Sequence, residues 1–126
     1  MIKTQSRFYK ALKDAKPYRV NGQLMQGQEF RTFHNMFGFK SISVILNWKD
    51  GLLNTDWDAD PVIPAVQMTD GHTEYWTMGK LDNQHRNEND ELQAAVISDN
   101  FQHEEYWIDG EQLNSKEINA DASQTA

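Results

Sequence analysis

The spacing of apolar residues has a helical period before Pro17 and a two-residue period further along the chain. Within residues 5–16, Phe8 and Leu12 recur with two alanines at intervals of three to four residues, which predicts an amphipathic helix. Ser6 is the expected N-cap. Because proline disfavours helical geometry in the residue before it, the helix is expected to end near residue 16.

From residue 41 the apolar positions alternate, which is typical of a half-buried strand ending at Trp48. Shorter strands are predicted where β-branched and aromatic residues cluster: 62–68, 73–78, 94–98 and 104–108. The predicted fold class is mainly β, α+β overall, with an N-terminal helix (1–17) followed by stacked antiparallel β-hairpin repeats (18–114). Residues 1–114 are expected to form a single domain. The polar, small residues of 115–126 predict a disordered tail.

Two segments of the chain share one pattern. Residues 72–79 and 103–110 both spell His-x-Glu-Tyr-Trp-x-x-Gly, and they begin 31 residues apart. Glycines at 22, 51, 79 and 110 continue this spacing through most of the chain. Periods of 20–50 residues indicate stacked supersecondary units.

Each of these glycines is expected to close a tight hairpin. Asn21-Gly22, Asp50-Gly51 and Asp109-Gly110 are dipeptides that favour the positive φ angles of a two-residue turn, whereas Met78-Gly79 lacks the favoured first residue. An isolated hairpin is marginal in water, so stacking is expected to make the core. The repeat tryptophans, Trp48, Trp76 and Trp107, are the expected core or anchor residues.

The repeated segments resemble the units of MORN-variant repeat proteins of bacteria and phages. The matching residues are Glu74-Tyr75-Trp76 with Gly79 and Leu81, His85-Arg86, Ala94–Ile97, and Glu105-Tyr106-Trp107 with Asp109-Gly110. The resemblance covers about residues 46–114. It implies successive β-hairpins in an extended or curled sheet, and a role in binding or scaffolding.

The amino-acid composition excludes several classes of function. The 126 residues include no cysteine, which excludes disulfides and thiolate chemistry. No apolar run reaches the ~20 residues needed to span a bilayer, so no membrane association and a cytoplasmic location are expected. No nucleophile, phosphate-binding or dinucleotide motif occurs, so we expect a protein that is not an enzyme and has no cofactor.

The net charge of −7 is unevenly distributed. Residues 1–40 carry eight Lys or Arg and two acids, whereas residues 41–126 carry four and seventeen. One interpretation is that the two parts of the chain attract each other. Another is that the basic, aromatic N-terminal region binds a nucleotide or single-stranded nucleic acid through Lys10, Lys13, Arg19 and Arg31. A third is that the acidic part mimics nucleic acid and inhibits a host nucleic-acid enzyme.

The leading hypothesis is a non-catalytic protein-interaction module, such as a small phage accessory or anti-host protein. Its contact candidates are the repeat tyrosines, one further tryptophan and nearby acids: Tyr75, Tyr106, Trp57, Asp56, Asp58, Asp60, Glu74 and Glu105. His72 and His103 are interpreted as hydrogen-bonded partners of the glutamates two residues away rather than as metal ligands. Edge strands of an open repeat sheet also allow self-association.

Overall fold

The computed structural model describes residues 3–34, 41–98 and 102–114. The predicted tail at 115–126 lies outside these residues. Within the described ranges the elements, in chain order, are one helical turn and thirteen strands: α1 (Tyr9–Leu12), β1 (Arg19–Val20), β2 (Gln23–Leu24), β3 (Gly27–His34), β4 (Ser41–Lys49), β5 (Leu52–Leu53), β6 (Val66–Met68), β7 (Thr73–Glu74), β8 (Trp76–Thr77), β9 (Lys80–Leu81), β10 (Val96–Ser98), β11 (His103–Glu105), β12 (Trp107–Ile108) and β13 (Glu111–Gln112).

One antiparallel sheet organises the protein. Its strand order is β11-β10-β7-β6-β4-β3, and β5 pairs with the end of β4. The prediction of a mainly β, hairpin-rich fold is confirmed. In β4 the predicted alternation places Val44, Leu46 and Trp48 in the core, with exposed fractions of 1%, 0% and 5%.

The predicted N-terminal helix is much shorter than residues 5–16. Only Tyr9–Leu12 is helical, its N-cap is Phe8, and no side chain caps it. Before the turn, residues 4–7 bind buried carboxylates of the sheet in a non-helical conformation. After it, the Ala15 N–H donates to the Leu12 carbonyl three residues back rather than four, so the α-helical bonding does not continue. No helix in the described ranges has the length and apolarity needed to cross a membrane.

Four small hairpins are each closed by one of the glycine turns; three are separate from the sheet, and the fourth extends from its strand β4. They are β1–β2, the end of β4 with β5, β8–β9 and β12–β13. In every turn φ is 46–54° at the first residue and 76–84° at the glycine, as a type I′ turn requires. At Gly51 an added Cβ would lie 2.6 Å from the carbonyl oxygen of Tyr18, so a side chain is also excluded there by space.

The core lies between the sheet and these hairpins. Trp76 and Trp107 are both 0% exposed, and Trp48 is 5% exposed, so the predicted core role of the repeat tryptophans is confirmed. The N-terminal segment closes this core through aromatic contacts. The Tyr9 ring lies 5.1 Å from that of Trp107, and the Tyr18 ring lies 4.9 Å from that of Trp48.

In the four glycine turns, the first residue has a positive φ angle, and only at Met78 is this residue neither Asn nor Asp. Replacing Met78 is therefore predicted to stabilise the protein. We expect Met78→Asn to raise the free energy of unfolding by about 1 kcal/mol, because left-handed φ costs most residues roughly 1–2 kcal/mol and asparagine less. Urea denaturation followed by tryptophan fluorescence measures the change. The reverse substitution in the first hairpin, Asn21→Met, should lower stability by a similar amount. Equal stability of Met78→Asn and the parent protein would contradict this reasoning.

Candidate functional site

The side chain of Glu74 is fully buried, and four groups donate to it. Trp76 Nε1 lies 2.9 Å from one carboxylate oxygen, and His72 Nε2 lies 2.6 Å from the other. The N-terminal segment supplies the remaining two donors, Ser6 Oγ and the Arg7 N–H, each at 2.7 Å. Every strong acceptor position of this carboxylate is therefore used inside the protein.

Glu105 repeats this arrangement on β11. Trp107 Nε1 donates at 2.9 Å and His103 Nε2 at 2.8 Å. Thr4 Oγ1 and the Gln5 N–H also donate, each at 2.6 Å, and Gln112 Nε2 donates at 3.5 Å. Residues 4–7, which we call the N-terminal clasp, thus bind both glutamates and lie across β11 and β7.

These contacts and the burial of the two glutamates determine their role in the protein. Burial raises the pKa of Glu105, but the hydrogen bonds from Gln5, Thr4, His103 and Trp107 outweigh it and hold the pKa below its usual range. Glu74 and Glu105 were expected as surface contact residues. They are 0% and 5% exposed, so they stabilise the fold instead. The hydrogen-bonded His–Glu pairs, by contrast, are confirmed.

A third carboxylate, Glu29 on β3, plays the same part for Trp48. It accepts Trp48 Nε1 at 3.0 Å and the Tyr18 hydroxyl at 3.3 Å, and it forms an ion pair with Arg31 at 2.8 Å. Arg31 also lies 5.6 Å from the centroid of the Tyr18 ring. Arg31 is therefore already bound on two sides by its own chain.

An aromatic cluster forms where two loops meet β8. The Trp57 ring stacks on His85 at 4.4 Å and on Tyr75 at 5.8 Å, with interplanar angles of 12° and 19°. Trp57 Nε1 donates to Thr77 Oγ1 at 2.9 Å. Trp57 and Tyr75, each predicted from the sequence as a contact residue, thus lie side by side. Burial raises the pKa of the Tyr75 hydroxyl.

Trp57 also lines a cavity of about 450 Å³ that opens between two of the small hairpins. Its wall includes Asp56, Asp58 and Met78, and the Met78 side chain is 41% exposed. Lys49 also lines it, so the wall carries two negative charges and one positive charge. We call this feature the acidic cavity. Asp60 is exposed on the same loop but does not line the cavity.

Tyr106 stands apart from this cluster. Its hydroxyl donates to Glu104 at 2.8 Å. Partial burial, this bond and the negative charges of Glu104 and Glu91 raise the pKa of Tyr106 to about 12. The two repeat tyrosines therefore have different surroundings, although their sequence contexts match.

The four basic residues that were predicted to bind a nucleotide do not lie on one surface. Arg19 and Arg31 line a groove of about 480 Å³ together with Arg7 and Lys16. Its apolar wall contains Phe8, Tyr18, Phe33 and Trp48. We call this the basic groove. Lys10 is exposed elsewhere, and Lys13 lines a different cavity of about 260 Å³ beside Tyr9 and Asp14.

Sequence reasoning missed several residues of these two features. His85 and Met78 join the acidic cavity region from loops whose mutual position depends on the tertiary fold. Arg7 and Lys16 converge with Arg31 of β3 on the basic groove, and this convergence depends on the path of the N-terminal segment. The 28-residue interval from Trp57 to His85 was the one available signal for their pairing.

Comparison of the chain with protein-family models, with curated proteins and with solved structures finds no match. Among the residues that the structure describes, no three His, Asp or Glu side chains converge as a metal site would require.

The glutamate clusters predict a pH dependence of stability. The contribution of ionised Glu105 is present in full above the usual carboxyl pKa of 4.5 and is lost as the pH falls through its lower folded value. We therefore expect the free energy of unfolding to decrease below pH 4.5. In Glu105→Gln this decrease should be shallower by up to about 1.4 kcal/mol per pH unit. Urea titrations at pH 7, 4 and 3 measure it.

The control for this experiment is Glu88→Gln on an exposed loop. It should leave both the neutral-pH stability and the acid slope of the parent protein unchanged. Glu105→Gln, by contrast, should lower stability at pH 7 by about 1–3 kcal/mol, because it removes charge-assisted hydrogen bonds. An unchanged acid slope in Glu105→Gln would contradict the assignment.

Proposed function

We propose that the chain is a non-catalytic protein-interaction module of the MORN-variant type, built from stacked hairpin repeats. The bonds between neighbouring hairpins support this. The N–H groups of Gly51, Gly79 and Gly110 donate to the carbonyls of Met25, Leu53 and Leu81, each at 2.9 Å. The three acceptors follow one another at intervals of 28 residues.

A second set of bonds has the same interval. The N–H groups of the turn residues Asp50, Met78 and Asp109 donate to the side chains of Gln26, Asn54 and Asp82 at 3.0, 3.0 and 2.8 Å. Each of these side chains lies one hairpin earlier along the chain. Such nearest-neighbour contacts are what a linear stack of similar units requires.

The acidic cavity is the proposed contact surface for the partner protein. The observation that carries this is the position of Trp57, which is only partly buried and stands beside two carboxylates in a cavity large enough for a side chain. A tryptophan in such a pocket is a typical binding hot spot. The adjacent Asp56 and Asp58 favour a lysine or arginine side chain on the partner.

The proposal retains a phage accessory or anti-host role and a cytoplasmic location, both of which rest on the sequence. The main alternative function that uses these acidic residues is mimicry of nucleic acid. It uses the same carboxylate-bearing surface and differs only in the partner it selects. A basic nucleic-acid enzyme as the captured protein would favour mimicry.

We expect Asp58→Lys to abolish partner capture while leaving the thermal midpoint of unfolding within about 2 °C of the parent protein. Asp58 is exposed, so reversing its charge changes the cavity and not the core. The measurement is affinity capture from a bacterial lysate with the tagged protein, followed by mass spectrometry with quantification of each retained protein. Retention should fall at least about tenfold.

The matched control is Glu88→Lys, which makes the same charge change on another exposed loop and should retain the partner. Trp57→Ala should lose it, with some loss of stability because the ring also stacks on His85. Equal retention by Asp58→Lys and Glu88→Lys would exclude the acidic cavity as the contact surface.

The basic groove supports a second candidate function, binding of a nucleotide or a single nucleic-acid strand. The observation in its favour is that four cationic side chains surround an aromatic wall. Phosphate contacts and base stacking together are the usual means of binding single strands.

For this candidate we expect Arg19→Glu to weaken binding of a fluorescein-labelled oligothymidylate about tenfold or more. The side chain of Arg19 is exposed and donates only to the Gly22 carbonyl, at 3.1 Å, so folding should be retained. Fluorescence anisotropy at several salt concentrations measures the affinity, which should fall as salt rises. The control is Lys10→Glu, outside the groove. An equal effect of both variants would indicate general charge attraction and would count against the groove.

A further inference from the structure

The strand β3 forms one edge of the seven-stranded sheet. Among the described strands it pairs only with β4, along all eight of its residues, from Gly27 to His34. Its outer side therefore presents a row of backbone N–H and C=O groups that can accept another strand. The edge contains neither proline nor lysine, the residues that most often prevent such pairing.

The face of β3 that points away from the core is apolar at one position. Phe30 is 71% exposed, the largest value among the big apolar side chains of the described residues. Its neighbour across the β3–β4 pair is Ile45, which is only partly buried. These two side chains form the start of an apolar row that ends abruptly at the sheet edge.

The opposite face of β3 carries two charges of opposite sign. Glu29 and Arg31 lie two residues apart, on either side of Phe30, and form an ion pair with each other. Their side chains retain exposed fractions of 21% and 36%. Glu29 is also fixed in place by the Trp48 and Tyr18 donors, so its orientation does not have to be selected when a partner binds.

We propose that β3 pairs antiparallel with β3 of a second copy of this chain, about a two-fold axis at Phe30. In this register Phe30 lies opposite Phe30 of the partner subunit, and Glu29 lies opposite Arg31 of the partner subunit. Residues directly opposite in an antiparallel pair share a face and interact. The apolar row then continues across the interface. The two Glu29–Arg31 ion pairs, one from each copy, come together as a network of four charged side chains with alternating sign.

The charges of β3 select this register over its neighbours. A two-fold axis at Arg31 would place two guanidinium groups opposite each other, and an axis at Glu29 would place two carboxylates opposite each other. Like charges directly opposite destabilise a strand pair. A shift by one residue would bring the apolar face of one copy beside the charged face of the other. The pairing at Phe30 avoids both problems.

The opposite edge of the sheet is a poorer partner. The strand β11 has three residues, and the carboxylate of its last residue, Glu105, is occupied by the N-terminal clasp. Pairing of β3 with β11 would also be head-to-tail and would extend into open chains rather than close. A two-fold β3–β3 contact joins two sheets into one and leaves no free β3 edge.

The absence of cysteine from the chain allows a direct test of the register. In Phe30→Cys the two introduced thiols would face each other across the axis with Cα atoms about 4.5–5.5 Å apart, within the range that a disulfide bridges. Mild oxidation of the purified protein should convert most of it into a covalent dimer, seen by non-reducing gel electrophoresis. The matched control is Thr32→Cys on the same face, where the thiols would lie four residues apart, roughly 14 Å, and should not cross-link.

A second measurement needs no cross-link. Light scattering coupled to size-exclusion chromatography should give twice the chain mass for the parent protein at high concentration. Phe30→Lys, which places two ammonium groups at the axis, should weaken this dimer at least about tenfold while the buried tryptophans keep their native fluorescence. Equal cross-linking of the two cysteine variants, a monomeric parent protein, or an open series of higher oligomers would overturn the proposal.

Discussion

Three buried or half-buried carboxylates that accept tryptophan N–H groups are the interaction on which this structure depends. Trp48 donates to Glu29, Trp76 to Glu74 and Trp107 to Glu105, at 3.0, 2.9 and 2.9 Å. A buried indole without an acceptor, or a buried carboxylate without donors, would be costly. Each pair removes both costs and fixes a large ring in the core. The sheet and the small hairpins are joined through these rings.

The carboxylates also explain why the N-terminus folds as it does. Glu74 and Glu105 each need more donors than their own histidine and tryptophan supply, and the clasp provides them from two backbone N–H groups and two hydroxyls. Residues 4–7 reach from Glu105 on β11 to Glu74 on β7 in this way, and they are not helical. The amphipathic pattern of residues 5–16 therefore yields only the turn Tyr9–Leu12. Its apolar residues still pack on the core, where Tyr9 contacts Trp107.

The sequence predicted those features that local spacing determines. The alternation of β4, the positive φ angles at the glycine turns and the pairing of His72 with Glu74 all follow from residues close together in the chain. The burial of Glu74 could not be foreseen in this way, because its donors include residues more than sixty positions away. The same holds for the acidic cavity and the basic groove, whose walls come from segments that only the tertiary fold brings together.

The uneven charge of the chain has its clearest explanation within the molecule. Arg7 forms an ion pair with Asp70 at 2.8 Å, Arg31 forms one with Glu29, and the clasp donates to two further carboxylates. Arg7 and the clasp thus join the basic N-terminal region to the acidic part of the chain, whereas Arg31 is paired within the N-terminal region itself. Arg19 and Lys16 in the basic groove are left with less internal compensation. Any anionic ligand must therefore be recognised chiefly by these two residues and by the aromatic wall, rather than by the overall charge of the segment.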